Sequence, residues 1–246
     1  MNWVKLSLVS LFLLTACATE RTGFQPQEVD SDRSVESHTR LASGYYNIAR
    51  YKIAIDEARI ALSIKSDYAP AYNVLGLVYM ALKDNVLAEE NFQKAISLAV
   101  DDSDINHNYG VFLCQTNREK ESIAYFTRAG KNPLYQNPER SLANAGYCLR
   151  KIGQFDEARS LFERALRLQP QYTMALYNLA DIAYRNEDYL PARNYLQRIS
   201  QDEQTPESLF LAWRVERALG DASAEKRIAD QLMRDFPKSD QAKQLR

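Results

Sequence analysis

Residues 88–95 read AEENFQKA, and this order of small and large side chains returns twice further along the chain. Residues 122–129 read SIAYFTRA and residues 158–165 read ARSLFERA, so a small residue, an aromatic residue and an alanine recur in a fixed register. A second motif, apolar with small residues among large ones, precedes each copy: LGLVY at 75–79, YGVFL at 109–113 and AGYCL at 145–149. Self-similarity at a fixed period predicts a repeat protein built from stacked, similar units.

The pattern resembles the tetratricopeptide repeat, which has small residues at positions 8, 20 and 27 and larger apolar residues at positions 4, 7, 11 and 24. The resemblance predicts an all-α fold, a right-handed superhelix of about six helical hairpins without strands. One hairpin cannot bury its apolar stripes alone, so neighbouring hairpins stack. The terminal repeats fit least well, since His38 occupies a core position and Trp213 a small-residue position. The repeats are expected to start at Val35, Ala69, Ser103, Glu139, Thr173 and about Pro206.

One step of the repeat is longer than the others. The third repeat and the fourth are 36 residues apart, and residues 130–139 between them read GKNPLYQNPE. Pro133 and Pro138 interrupt helical continuity in this segment. The segment is either a tolerated insertion in a surface loop or a feature specific to one family.

The composition excludes several classes of protein. Hydrophobic residues make up 46% of the 246-residue chain, which is too many for a disordered protein. The chain carries 31 basic and 32 acidic side chains, so it lacks the basic excess of a nucleic-acid-binding protein. Only 8 glycines and 8 prolines are present, which disfavours an all-β chain with many tight turns.

The N-terminus has the pattern of an export signal. Lys5 precedes an apolar run at residues 6–14, which is shorter than the roughly 20 residues a membrane-spanning helix needs. The sequence LTAC at 14–17 resembles a bacterial lipoprotein signal, which implies cleavage after residue 16 and acylation of Cys17. The alternative is an ordinary signal peptide followed by an unrelated cysteine. Ala18, where such lipoproteins carry aspartate for inner-membrane retention, favours the periplasmic side of the outer membrane.

These predictions divide the chain into three parts. Residues 1–16 are the expected signal peptide, and residues 17–34 are a lipidated N-terminus and flexible tether because they are polar and lack helical periodicity. Residues 35–246 form the expected superhelix. Several acyl chains on Cys17 would anchor the protein firmly, whereas one chain binds a membrane only marginally.

The two remaining cysteines are candidates for a disulfide. Cys114 and Cys148 fall near the same height of equivalent helices in the third and fourth repeats, and such helices lie side by side in the superhelix. Their α-carbons could then approach within the roughly 4.4–6.8 Å that a disulfide requires. An oxidising periplasm favours the bond. The alternative is a pair of buried free thiols.

No catalytic constellation is evident, and an enzyme is not expected. Neither His38 nor His107 has partners at metal-ligand spacing, and His107 is expected to face solvent. The sequence has no nucleophile elbow, no phosphate-binding glycine loop and no paired Cys-x-x-Cys. We therefore expect no metal, no cofactor and no nucleic-acid partner, and we expect a protein-binding function.

Tetratricopeptide superhelices present the first helix of each repeat on a concave face, chiefly through positions 2, 5, 9, 12 and 13. In repeats 1–3 these positions predict a modestly apolar partner-binding groove formed by Tyr46, Asn73, Leu77, Met80 and Val111. In repeats 4–6 the same face is aromatic and basic, which is either a binding surface or a solvated face with a few exposed rings. Its residues are Arg140, Tyr147, Arg150, Lys151, Tyr177, Tyr184, Arg185, Phe210, Arg214 and Arg217.

The lipoprotein signal, the short tether and the six repeats together resemble the type IV pilus biogenesis and stability lipoprotein family, the PilF/PilW pilotins. The sequences NYGVFLC at 108–114, NPLY at 132–135 and NAGYC at 144–148 carry this resemblance. It implies a pilotin that reaches the outer membrane through the lipoprotein sorting machinery and promotes localisation and multimerisation of the pilus secretin. A segment of the secretin is expected in the groove of repeats 1–3. The alternative is another periplasm-facing scaffold, such as a cofactor of peptidoglycan enzymes or of outer-membrane protein assembly.

Overall fold

A computed structural model describes residues 31–245 of the chain, so the signal sequence, Cys17 and most of the expected tether lie outside the described residues. Within residues 31–245 the backbone is helical, with no strand and with a short 3-10 helix at Gln201–Glu203. The α-helices are α1 (Ser31–Asn47), α2 (Tyr51–Ile64), α3 (Ala69–Ala81), α4 (Asn85–Leu98), α5 (Ser103–Gln115), α6 (Glu119–Ala129), α7 (Pro138–Lys151), α8 (Phe155–Leu168), α9 (Thr173–Arg185), α10 (Tyr189–Gln197), α11 (Pro206–Leu219), α12 (Ala222–Asp235) and α13 (Asp240–Lys243).

The helices pair into six antiparallel hairpins, and the odd-numbered helix of each hairpin also contacts the odd-numbered helix of the next. The expectation of an all-α superhelix of about six tetratricopeptide hairpins is confirmed. Helices α3, α5, α9 and α11 begin at the residues where repeats were expected to start. Two starts differ: α7 begins one residue early, at Pro138, and α1 begins at Ser31. The last four residues assigned to the tether are therefore helical, and Asp32 in their first turn favours a helix N-terminus.

Each hairpin turns at one residue in the left-handed conformation. Four of these residues are not glycine, namely Ala49, Lys83, Asn117 and Glu187, each with a φ between 56° and 63°. Gly153 and Gly220 occupy the same place in the fourth and sixth hairpins. A residue in this conformation stops a helix and reverses the chain. The sixth repeat, although degenerate in sequence, therefore keeps the same turn as the others.

The recurring glycine and phenylalanine of the central repeats form a single contact. A Cβ atom added to Gly76 would lie 2.7 Å from the ring of Phe92, well inside van der Waals distance. The same contact joins Gly110 to Phe126, where the distance would be 2.9 Å. The phenylalanine rings are buried, so the two helices of a hairpin can approach only where the facing residue has no side chain. This contact explains the register on which the repeat was recognised.

The segment between the third and fourth hairpins is an ordered loop at residues 130–137. The Asn132 side-chain oxygen accepts a hydrogen bond from the Leu134 backbone N–H at 2.9 Å, which forms an Asx turn. Pro138 then opens α7 at a position where its missing N–H costs nothing. Leu134, at the tip, is 81% exposed.

The two ends of the superhelix are finished differently. At the C-terminal end the short helix α13 packs against α11 and α12, and Ala242 joins Leu209 and Leu232 in a small core. At the N-terminal end no described element covers α1. Across residues 31–245 no helix is both long enough and apolar enough to span a membrane.

Candidate functional site

The five residues of the expected groove lie on three successive first helices, α1, α3 and α5, and all are half-buried. Tyr46, Leu77 and Met80 pack partly against the core of the first three hairpins. The Asn108 side chain donates a hydrogen bond to the Asn73 side-chain oxygen at 3.2 Å, which links α3 to α5. Val111 packs beside the cysteine pair. The residues therefore share one face, but each offers only part of its surface to a partner.

A more exposed apolar surface lies on α1, and sequence reasoning missed it. Leu41 is 45% exposed and Ile48 is 64% exposed, and both line a shallow cleft of about 390 Å³ with Gly44 between them. We call this surface the open edge; its residues are Ser37, Arg40, Leu41, Gly44, Tyr45 and Ile48.

Comparison with the second repeat explains the open edge. Leu41 occupies position 7 of its repeat, and the equivalent Leu75 is buried against the preceding hairpin. Gly44 occupies position 10, where the second repeat has the buried Val78. The first hairpin has no predecessor among the described residues, so the same positions face outward. A terminal repeat normally carries a polar outer face, and an apolar one indicates a surface that something else covers.

Gly44 lies in the middle of this surface, and no contact within the described residues requires glycine there. A Cβ atom added there would meet nothing within 4 Å, unlike one at Gly76. Glycine inside a helix costs roughly 0.5–1 kcal/mol relative to alanine. Glycine is one of the residues used where another backbone approaches closely, and the open space beside Gly44 leaves room for one.

A disulfide joins the two halves of the superhelix. Cys114 in α5 and Cys148 in α7 are bonded, with their α-carbons 5.9 Å apart, and both are buried. Beside the bond, the Lys151 ammonium donates to the Cys114 carbonyl at 2.9 Å and lies 2.7 Å from the Glu119 carboxylate. These contacts hold the third and fourth hairpins together next to the insertion.

The expectation that His107 faces solvent is wrong. His107 is 3% exposed, its Nδ1 lies 2.8 Å from the Ser141 hydroxyl, and its ring meets Phe126 edge-on. Burial, with a smaller contribution from the nearby Arg140 guanidinium, lowers the pKa of His107 to about 4. The imidazole is therefore neutral near pH 7 and acts as a structural link between α5 and α7.

His38 also differs from its expected core position. Its ring is partly exposed, and Nδ1 lies 2.7 Å from the Glu57 carboxylate of α2. The contact joins the two helices of the first hairpin at its surface. Among residues 31–245 no group of three His, Cys, Asp or Glu side chains could hold a metal ion.

The aromatic and basic residues expected on repeats 4–6 lie on α7, α9 and α11, the next three first helices. The Arg214 guanidinium lies 4.4 Å from the ring centre of Tyr184, across the α9–α11 contact. The Arg217 guanidinium lies 5.3 Å from the ring of Trp213, which itself stacks on Phe210. Guanidinium groups at these distances are attracted to the faces of aromatic rings. We call the ten aromatic and basic residues that the sequence predicts for this face of repeats 4–6, together with Trp213, the basic ladder.

A carboxylate organises the middle of the basic ladder. Asp181 of α9 accepts hydrogen bonds from Arg150 and Arg185, each at 2.9 Å. Arg150 also lies 5.5 Å from the ring of Tyr147 on its own helix. Burial, followed by the charge of Asp181, raises the pKa of the Tyr177 hydroxyl, so this group stays protonated and can donate a hydrogen bond.

The fold is that of a tetratricopeptide-repeat protein, a class of protein-interaction scaffolds. Two tetratricopeptide-repeat family models match the chain, at residues 69–101 and 144–206. Both matches fall on hairpins described above.

Two similar proteins, PilW and PilF, narrow the class to a family. The crystal structure of PilW, described as a widely conserved type IV pilus biogenesis factor, is 33% identical with a TM-score of 0.78, covering 86% of this chain and 97% of that one. The structure of PilF from Pseudomonas aeruginosa is 26% identical with a TM-score of 0.80, covering 87% and 97%. The type IV pilus assembly protein PilF of Pseudomonas aeruginosa is 28% identical in sequence, covering 96% of this chain and 95% of that one. The chain belongs to this family of type IV pilus tetratricopeptide-repeat proteins.

Proposed function

We propose that the protein is a pilotin, an outer-membrane lipoprotein on the periplasmic side that binds the type IV pilus secretin and promotes its localisation and multimerisation. Two findings support the proposal. Relatives that align along nearly the whole chain are described as a pilus biogenesis factor and a pilus assembly protein. The fold is a protein-binding scaffold with an apolar surface that no described element covers.

The observation that carries the proposal is the open edge on α1. Leu41 and Gly44 lie three residues apart on one side of α1, and Ile48 follows in the turn after Asn47, so the three residues line one cleft against which a helix can pack. An apolar helix of a secretin subunit, placed there, would stand where a preceding hairpin stands in every other repeat. The half-buried Leu77 and Met80 extend the apolar surface toward the concave face.

Cys17 would supply the route to the membrane. Acylation at this residue makes the protein cargo for the lipoprotein sorting machinery, and a bound secretin subunit would travel with it. Cys17→Ser is expected to leave the fold intact and to abolish outer-membrane fractionation. If that variant fractionates with the outer membrane as the wild type does, acylation of Cys17 does not anchor the protein.

Deletion of the chain tests the function itself. We expect the secretin to remain as monomers or to accumulate outside the outer membrane, and the wild-type chain supplied in trans to restore the multimers. Secretin multimers present at normal abundance in the outer membrane of the deletion strain would contradict the pilotin proposal.

Surface variants test the position of the site. Leu41→Asp with Ile48→Asp places two charges on the open edge, and we expect secretin multimers to fall at least ten-fold. The control is Val86→Asp with Leu190→Asp, since these side chains are 69% and 60% exposed on other helices. Aspartate at Leu77 or Met80 is a less clean test, because both side chains also support the core. Equal loss in both pairs would show a general effect on stability instead of a binding site.

A further inference from the structure

We infer that the basic ladder on α7, α9 and α11 is a second binding site, for an extended acidic segment of a protein partner. The site goes beyond the pilotin proposal, because its chemistry is opposite to that of the open edge and it occupies the other half of the molecule.

Charge is the first reason. At the concave positions of repeats 1–3 there is no lysine or arginine, and the charged residues are Glu36 and Asp104. At the same positions of repeats 4–6 the only carboxylates are Asp181 and Glu207, and cations outnumber them three to one. These cations are Arg140, Arg150, Lys151, Arg185, Arg214 and Arg217. Three of these cations are already paired, Arg150 and Arg185 with Asp181 and Lys151 with Glu119. The attraction for an acidic partner therefore comes from Arg140, Arg214 and Arg217, although the whole chain has a formal charge of −1.

The second reason is that two arginines of the basic ladder are available to bind a partner. Among residues 31–245 neither Arg214 nor Arg217 makes an ion pair, and both are exposed. Each lies over an aromatic ring, which fixes the plane of the guanidinium while leaving N–H donors free. Planar donors held in place are suited to bidentate recognition of a carboxylate.

Geometry favours an extended chain. Packed helices lie about 8–10 Å apart, and an extended peptide advances about 3.3 Å per residue. A carboxylate at every third residue would therefore meet successive helices of the basic ladder. The rings of Tyr177, Phe210 and Trp213 are half-buried and offer apolar surface to the residues between. Asp181 and Glu207 lie among the cations and would repel some phosphates of a nucleic acid, which carries a negative charge at every nucleotide. The surface therefore fits a nucleic acid less well than an acidic peptide.

Trp213 makes the site directly observable. The chain has two tryptophans, at positions 3 and 213, and Trp3 lies in the expected signal peptide, so Trp213 is the single tryptophan of the processed protein. The probe is a twelve-residue peptide with glutamate at every third position and leucine and serine between. We expect a saturable change in Trp213 emission with this peptide and none with the matched lysine peptide. No change with the glutamate peptide would overturn the inference.

Matched variants assign the signal to the basic ladder. Arg214→Gln with Arg217→Gln should raise the dissociation constant of the glutamate peptide at least ten-fold. Arg167→Gln with Arg227→Gln removes the same charge from exposed positions on α8 and α12 and should change it less than two-fold. Equal weakening by both pairs, or equally tight binding of inorganic polyphosphate, would replace a peptide site with general attraction of anions. The readout does not depend on the secretin, so its failure and that of the pilotin proposal are separate.

Discussion

Repeats 1–3 and repeats 4–6 have the same backbone plan and present different chemistry to a partner. The first half ends in an open apolar edge, with Leu41 and Ile48 exposed and the concave side chains partly used in packing. The second half is closed at its end by α13 and carries guanidinium groups over aromatic rings. In a repeat protein the small and large core positions fix the fold, so the remaining positions of each half are free to differ.

The disulfide at the junction of the two halves is expected to hold them together as one body, and its removal should have the largest effect on stability. Cys114→Ala with Cys148→Ala should lower the free energy of unfolding by about 3–4 kcal/mol, because the bond closes a loop of about 35 residues. Chemical denaturation measures the change, and wild-type protein in reducing agent should match the variant. An unchanged denaturation midpoint would mean that packing alone holds the halves together.

The buried imidazole at the same junction predicts a pH dependence. The pKa of His107 is about 4 in the folded protein against about 6.5 when unfolded, so the unfolded chain binds the extra proton first. Stability is therefore complete above pH 6.5 and declines as pH falls toward 4, by about 3 kcal/mol from this group. His107→Gln keeps a partner for Ser141 and should flatten the decline between pH 7 and 4. An equally steep decline in the variant would assign the effect to other groups.

Two glycines distinguish the packed interior from the open edge. Gly76→Ala should destabilise the protein by about 1–3 kcal/mol, because the new methyl group would meet the Phe92 ring. Gly44→Ala should stabilise it by up to about 1 kcal/mol, because the site is empty and alanine is the better helix former. Thermal unfolding of the two variants gives the comparison. A destabilising Gly44→Ala would show that this helix surface is already covered within the chain.

Sequence reasoning located most of the fold because the contacts that define it are local in register. Gly76 and Phe92 lie sixteen residues apart, and the same spacing returns at Gly110 and Phe126. A contact that repeats in this way is visible in one sequence. The start of α1 at Ser31 was missed because a polar stretch such as residues 31–34 has no apolar period to mark it.

The features that sequence reasoning missed depend on neighbours in space. His107 occupies a position that commonly faces solvent, and its burial follows from Ser141 and Phe126 on other helices. Leu41 has the pattern of a buried residue, and it is exposed because nothing precedes its hairpin among the described residues. The residues of the basic ladder were identified individually, but the pairing of Arg214 with Tyr184 across two helices required coordinates.

Site-specific photocrosslinking shows where the secretin contacts the protein. A benzophenone side chain at Ile48 on the open edge is compared with one at Val86, which is equally exposed on α4. We expect a covalent adduct with the secretin from position 48 and none from position 86. An adduct from position 86 alone, or from neither position in cells that assemble secretin multimers, would contradict this expectation.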